Sequence, residues 1–194
     1  MGVIKTALEI ALEKTESVKS DKSSIEQFEA KQRGKKLANA YLAGDGDLNE
    51  TVKKASAAEK ENLKQGIFDV LITQISLPSG AEDVKKMEKL GKGLEVIIKT
   101  SEFSAMFKQL IQVFTQFLQE TSQYEQAIRQ QYAPKLRQKE EEVSRRLGRE
   151  VRIDPMQDPE FAAFYNQHMN ALKSNYEPVV EQAKEETRRM FESV

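Results

Sequence analysis

The stretch from Phe103 to Leu118 reads FSAMFKQLIQVFTQFL, and it decides the fold. Its apolar side chains recur every three or four residues, which is the period of an α-helix and not of a strand. They also cover a broad arc of that helix, as expected when neighbours pack on several sides. The sequence therefore predicts that residues 103–118 form the centre of a helical core. A layer that lines a cavity for an apolar ligand is the alternative.

The same helical period extends over most of the chain. Turns around Gly44 and Pro78 interrupt it, because glycine and proline disturb the helical hydrogen-bond ladder. Thr100 and Ser101 could cap a new helix, so whether residues 81–132 form one helix or two is left open. The expected fold is all-α, an elongated bundle of about four long helices in a single domain spanning 1–194. The predicted core helices are 3–43, 47–76, 81–132 and 159–191.

Residues 134–148 are predicted to form a charged helical arm. Pro134 has no amide hydrogen to donate and should kink the chain where the arm begins. A stripe as thin as the one on the arm favours a two-stranded, coiled-coil-like contact over a core position. An irregular loop, 149–158, should follow, and Asp158 should cap the last helix. Three apolar residues at heptad-like steps mark the stripe: Leu136, Val143 and Leu147.

The amino-acid composition excludes or disfavours several kinds of catalytic and metal-binding site. The 194 residues include no cysteine, which excludes disulfides, thiolate metal sites and cysteine nucleophiles. His168 is the only histidine, and it shares a predicted helical face with Phe164 and Leu172, which favours a packed structural role. Paired carboxylates are too frequent on charged helices to single out a catalytic pair. We therefore predict a non-enzymatic protein without catalytic residues, metal site or cofactor.

Charge and hydropathy bear on where the protein works. The 30 basic and 31 acidic side chains give a net charge of -1, so no global field attracts nucleic acid or an anionic membrane. The longest apolar runs are far shorter than the roughly 20 residues that cross a bilayer. The N-terminus lacks the apolar core of a signal peptide. A cytoplasmic protein is expected, with nucleic-acid and peripheral membrane contacts disfavoured.

Two basic groups remain, at Lys31–Lys36 and along Arg129–Arg152. The second group holds eight basic against four acidic residues, whereas residues 153–194 hold four basic against eight acidic residues. These opposite charges favour contact between arm and tail, within one chain or between subunits. A binding module for nucleic acid or an anionic membrane surface is the alternative, although Tyr132 is the only aromatic residue of the basic stretch.

Long helices with thin apolar stripes need a partner, and symmetric self-pairing is the commonest way in which soluble proteins supply one. The predicted function is therefore an intracellular helical scaffold or protein-interaction protein, expected to be a homodimer. A further protein partner is left open. The three stripe residues of the arm, Leu136, Val143 and Leu147, are the predicted contacts. Four arginines are predicted to steer the approach of the partner by charge: Arg145, Arg146, Arg149 and Arg152.

Overall fold

The structure is a computed structural model that describes the backbone of residues 7–194 and the side chains from Ser23 onward. Those residues form six α-helices and one short 3-10 helix, with no strand among them, which confirms the predicted all-α class. Residues 3–6 of the predicted helix 3–43 lie outside the described range. The α-helices are α1 (Ala7–Ala43), α2 (Leu48–Lys54), α3 (Ala57–Thr73), α4 (Ala81–Ile98), α5 (Ser101–Leu147) and α6 (Pro159–Glu192).

The predicted helix 47–76 is divided in two. Its interruption falls at Ala55 and Ser56, whose backbones are extended. The carbonyl oxygen of Ser56 accepts the first backbone hydrogen bonds of α3, and its hydroxyl bonds to Glu59. The prediction of one continuous helix is wrong at this point, because the extended backbone of Ala55 and Ser56 ends α2 and starts α3. Serine tolerates such a break, since its hydroxyl can bond locally and so competes with the helical backbone.

The stretch 81–132 also contains two helices, which answers the question that the sequence left open. α4 ends at Ile98, and Lys99 adopts a left-handed backbone conformation with φ 55°. Such a conformation interrupts a right-handed helix. The Thr100 hydroxyl then accepts a hydrogen bond from the Phe103 amide at 3.2 Å. Thr100 therefore caps α5, as its residue type allowed.

α5 continues through Pro134, so the predicted boundary between core helix and arm is not found. Tyr132 before the proline and Leu136 after it both pack into the same apolar cluster. Apolar packing on both sides of Pro134 offsets the one backbone hydrogen bond that is lost because proline has no amide hydrogen. The helix ends at Leu147, and Gly148 follows with φ 65°, the conformation that favours glycine after a helix.

The chain divides into two compact units. Unit 1 comprises the residues up to Ile75 together with 89–103 and 190–194. Unit 2 comprises 76–88 and 104–189. That one domain spans the whole chain stays a prediction. The arm and the loop 149–158 both belong to unit 2.

In unit 1, α1 and α3 cross at a pair of glycines. Gly34 of α1 lies against Gly66 of α3. Lys31, about one turn before Gly34, pairs at 2.9 Å with Asp69, about one turn after Gly66, so the two helices run antiparallel. A Cβ on Gly34 would lie 3.1 Å from the Cα of Gly66 and would overlap the carbonyl oxygen of Leu63. The two backbones are therefore too close to admit a side chain at the crossing.

Unit 2 is built on an antiparallel pair formed by α5 and α6. Phe117 of α5 packs edge-on against Tyr176 of α6, with ring centroids 5.0 Å apart. Tyr132, later in α5, packs against Phe161, earlier in α6, at 5.2 Å. α6 thus covers the apolar stripe of α5 within one chain. The buried residues of this core are Phe117, Ile128, Tyr132, Phe161, Met169 and Leu172.

Replacing Gly66 with alanine should destabilise unit 1, although alanine is the better helix former. The added methyl group would overlap the carbonyl oxygen of Lys31 and force the helices apart. We expect the free energy of unfolding, measured by urea denaturation, to fall by at least about 2 kcal/mol. Gly80→Ala is the control, because nothing lies within 4 Å of a Cβ there. Equal stability of Gly66→Ala and the unaltered chain would contradict the close crossing.

Candidate partner-binding site at the arm

α6 begins at a buried acid. The Oδ1 atom of Asp158 accepts hydrogen bonds from the backbone amides of Glu160 (2.9 Å) and Phe161 (3.0 Å). These amides have no partner within the first turn of the helix, and the carboxylate supplies one. The predicted helix start at Asp158 and Pro159 is confirmed. Because Asp158 is only 5% exposed, its charge also has to be compensated nearby.

Lysines of the arm compensate that charge and the charge of the neighbouring Glu160. The Nζ atom of Lys139 donates to Oδ2 of Asp158 (2.6 Å) and to Oε2 of Glu160 (2.8 Å). Lys135 pairs with Glu160 at 2.8 Å, and the Tyr132 hydroxyl lies 3.2 Å from an oxygen of each acid. These residues form a junction cluster that joins the arm to the first turn of α6. The predicted contact between opposite charges of arm and tail is therefore made, in part, within one chain.

Hydrogen bonds in the junction cluster shift the pKa of its members. The bond from Lys139, followed by the amide of Phe161, lowers the pKa of Asp158 to about 2. Bonds from Lys135 and Lys139 lower the pKa of Glu160 to about 2. Asp158 and then Glu160 raise the pKa of Lys139, while burial raises the pKa of Tyr132. At neutral pH the cluster therefore pairs two carboxylates with two ammonium groups beside a neutral phenol.

Two further tyrosines tie α6 to acids of α5. Tyr165 donates to Glu125, and Tyr176 bonds to Glu120. Glu125 raises the pKa of Tyr165, whereas burial and then Glu120 raise the pKa of Tyr176 to about 12. As α6 leads away from the junction cluster, its acidic partners lie progressively earlier in α5. These bonds therefore fix the register of the antiparallel pair.

The structure places the three predicted contact residues in different surroundings. Leu136 is half-buried and packs against the core of unit 2. Contact of Leu136 with a partner stays a prediction, and its side chain already packs against a core that includes residues of α6. Val143 is half-buried, and Leu147 is 56% exposed. These two residues lie one helical turn apart, beyond the junction cluster.

All four predicted arginines are exposed at the end of the arm or in the loop that follows. Exposed ion pairs of this kind contribute little to stability, but each one balances the charge of an arginine locally. Charge steering by Arg145, Arg146, Arg149 and Arg152 stays a prediction. Three of them pair with a nearby glutamate: Arg145 with Glu141 (3.9 Å), Arg146 with Glu142 (3.2 Å) and Arg152 with Glu150 (3.4 Å).

The loop 149–158 returns along the arm. The amide of Val151 donates to Oγ of Ser144 (2.9 Å), and the amide of Ile153 donates to Oε1 of Glu140 (2.8 Å). Side chains of α5 thus satisfy backbone donors of a segment without regular structure. Sequence reasoning missed both anchors, since a serine and a glutamate on a charged helix give no signal of their own. Between the loop and the arm lies an open cleft of about 560 Å³, and its lining includes arginine as well as glutamate side chains.

The basic group Lys31–Lys36 is partly engaged inside unit 1. Lys31 pairs with Asp69 at 2.9 Å, and Arg33 pairs with Glu59 at 3.2 Å. Both acids belong to α3, so these two charges help to hold α1 against its neighbour. No helix within residues 7–194 has the length and apolar character needed to cross a membrane.

The aromatic layer of residues 103–118 is used for packing, as the sequence favoured. Its buried members are Phe103, Phe107, Leu110, Phe114 and Phe117. An open groove of about 270 Å³ lies beside it in unit 2, between Val113 of α5 and Val179 of α6. His168 is half-buried and packs edge-on against the Phe164 ring at 4.4 Å. Within the described residues, no group of three or more acids or histidines is placed to hold a metal ion.

The fold and the site define an all-α protein whose last two helices pair antiparallel and leave a charged arm end exposed. A family model described as "Family of unknown function (DUF6657)" matches residues 49–189, which is more than half of the chain. The chain therefore belongs to this family. The matched residues include the arm and the junction cluster. No curated protein and no solved structure matches the chain.

Acid should weaken unit 2 through the junction cluster. In the folded chain the pKa of Asp158 and of Glu160 is about 2, below the ordinary values of 3.8 and 4.5. As the pH falls, the unfolded chain therefore binds protons first. The stabilisation from these acids is complete above about pH 5 and is lost as the pH falls from there toward about 2. The free energy of unfolding, measured by urea denaturation, should decline through this window.

A double variant, Asp158→Asn with Glu160→Gln, assigns that decline to the junction cluster. Asparagine still accepts the capping bonds, but neither new residue titrates. The double variant should be less stable at neutral pH and less sensitive to acid. Glu142→Gln, which removes an exposed acid paired with Arg146, should keep the original pH dependence. If the double variant also kept the original pH dependence, acids outside the junction cluster would cause the loss of stability at low pH.

Proposed function

We propose that this chain is a cytoplasmic, non-enzymatic helical scaffold that self-associates through the exposed end of its arm. The observation that carries the proposal is the length of α5. The helix continues from Lys139 of the junction cluster to Leu147, about 12 Å at 1.5 Å per residue. α6 begins beside the junction cluster, at Pro159, and leads away from this part of the arm. Val143 and Leu147 therefore lie beyond the part of α5 that pairs with α6, where the loop 149–158 bonds to the arm.

The charge pattern of the arm supports pairing with a second copy of the chain. Glu141 and Glu142 precede Val143, while Arg145 and Arg146 follow it. Two arms run antiparallel when they are related by a two-fold axis that is perpendicular to them and passes near Val143. Each acidic turn then lies opposite the basic turn of the other copy, which gives complementary charges around the apolar contact. A parallel pairing in register would instead bring like charges together.

Introducing Val143→Glu together with Leu147→Glu should weaken this self-association, because charged groups would replace the apolar contacts between copies. We expect the dissociation constant to rise on the order of tenfold or more. Light scattering over a concentration series should therefore show a lower average mass than for the unaltered chain. Circular dichroism should show the same helix content.

Val179→Glu is the matched control for this variant. Val179 is also an apolar residue of unit 2, 37% exposed, but it lies on α6 away from the arm. Its replacement should leave the average mass unchanged. A double variant with unchanged mass would contradict self-association through the arm, and so would an unaltered chain that is monomeric at every concentration.

A further inference from the structure

Two side chains of the arm hold the loop 149–158 in place. Oγ of Ser144 accepts a hydrogen bond from the amide of Val151 at 2.9 Å, and Oε1 of Glu140 accepts one from the amide of Ile153 at 2.8 Å. In the part of the chain that the structure describes, no other hydrogen bond joins the first half of the loop to α5. Both acceptors also line the open cleft between loop and arm. We call these two side chains the loop anchors.

The length of the loop does not fix its path. The loop follows the end of α5 at Leu147 and returns to Lys139, and these residues are about 12 Å apart along the helix. An extended chain of about ten residues reaches roughly 33 Å. The spare length would allow the loop to lie on several sides of the arm. The loop anchors therefore decide on which side it lies.

The loop anchors lie beside the proposed contact residues. Glu140 precedes Val143 by three positions, and Ser144 precedes Leu147 by three positions. Residues three positions apart are neighbours on a helix surface, so each anchor adjoins one contact residue. Both anchors are half-buried, whereas Leu147 is exposed. The anchored loop therefore borders the proposed contact surface and leaves Leu147 open to a second copy.

A released loop would compete with the second copy. The loop carries apolar side chains of its own, among them Val151, Ile153 and Met156, which is 47% exposed. Their burial against Val143 and Leu147 would be favourable, because it removes apolar surface from water. A mobile loop would also lose conformational freedom when a second copy binds, which lowers the affinity. Both effects of release weaken self-association.

We propose that Glu140 and Ser144 are positioning residues for self-association. They hold the loop at the border of the contact surface, so that Val143 and Leu147 stay available to a second copy. The inference rests on the proposed function, and it adds two residues that act through the loop. What each anchor must supply is an oxygen acceptor and not a negative charge, because both bonds come from neutral backbone amides.

Alanine at both anchors tests the proposal in the full chain. Glu140→Ala with Ser144→Ala removes both acceptors, while alanine favours the helix, so helix content by circular dichroism should not fall. The dissociation constant, measured by sedimentation equilibrium, should rise on the order of tenfold. Gln138→Ala is the control, because this exposed residue of α5 makes no hydrogen bond to the loop in the described structure. The control should associate like the unaltered chain.

Conservative replacement separates the acceptor from the other properties of the anchors. Glu140→Gln with Ser144→Thr removes a charge and adds a methyl group, but it keeps an oxygen acceptor at each position. This variant should therefore associate like the unaltered chain. A purely electrostatic role of Glu140 would instead be lost with glutamine as well as with alanine.

Hydrogen exchange reports on the anchors without self-association. In a chain that carries Val143→Glu and Leu147→Glu the arm contact is removed, so a second copy at the arm cannot protect the amides of Val151 and Ile153. Adding the two alanines should speed the exchange of these amides on the order of fivefold, as expected for the loss of one hydrogen bond each. Adding glutamine and threonine instead should leave their exchange unchanged.

The outcomes separate the loop anchors from the contact itself. Weaker association and faster exchange with alanine, both reversed by glutamine and threonine, support the proposal. Unchanged exchange with alanine overturns it, and so does faster exchange with unchanged or tighter association. In both of these cases the unaltered chain still self-associates, so the proposed function stands. A chain that is monomeric at every concentration overturns both, and the exchange rates then show only whether the loop is anchored.

Discussion

The arrangement of unit 2 depends on one buried carboxylate. Asp158 is almost entirely shielded from water, and an uncompensated charge at that depth would be strongly unfavourable. Its two oxygens meet two different needs. One accepts the orphan amides at the start of α6, and the other binds Lys139 of the arm. Both needs are met only when α6 begins beside Lys139, so this residue sets where the helical pair starts.

The candidate site follows from that starting point. From the junction cluster onward, α6 runs back along α5 and covers its apolar stripe, and the bonds from Tyr165 and Tyr176 keep the register. On the other side of the junction cluster, α5 continues past the start of α6, and the loop 149–158 bonds to it there. The same heptad stripe is therefore internal at Leu136 and external at Leu147. The proposed contact surface is a consequence of where α6 begins.

Unit 1 depends on a different constraint, the close approach of two backbones. Isolated glycines in a helical pattern commonly signal a break, yet Gly34 and Gly66 lie inside α1 and α3. They face each other across the crossing, where any side chain would overlap backbone. This use of glycine is invisible in either segment alone, because it depends on the residue opposite. Elsewhere on α1, the side chains of Ile25 and Phe28 are exposed.

The sequence by itself determined the all-α class, the core position of residues 103–118 and the start of α6 at Asp158. Each of these follows from local spacing or from a side chain that bonds to its own backbone. The break at Ser56 was missed because a serine is compatible with both a helix interior and a helix start. Only the tertiary structure decided between Leu136 and Leu147, two leucines of one stripe. Burial depends on what lies opposite a residue, and α6 lies opposite only the first of them.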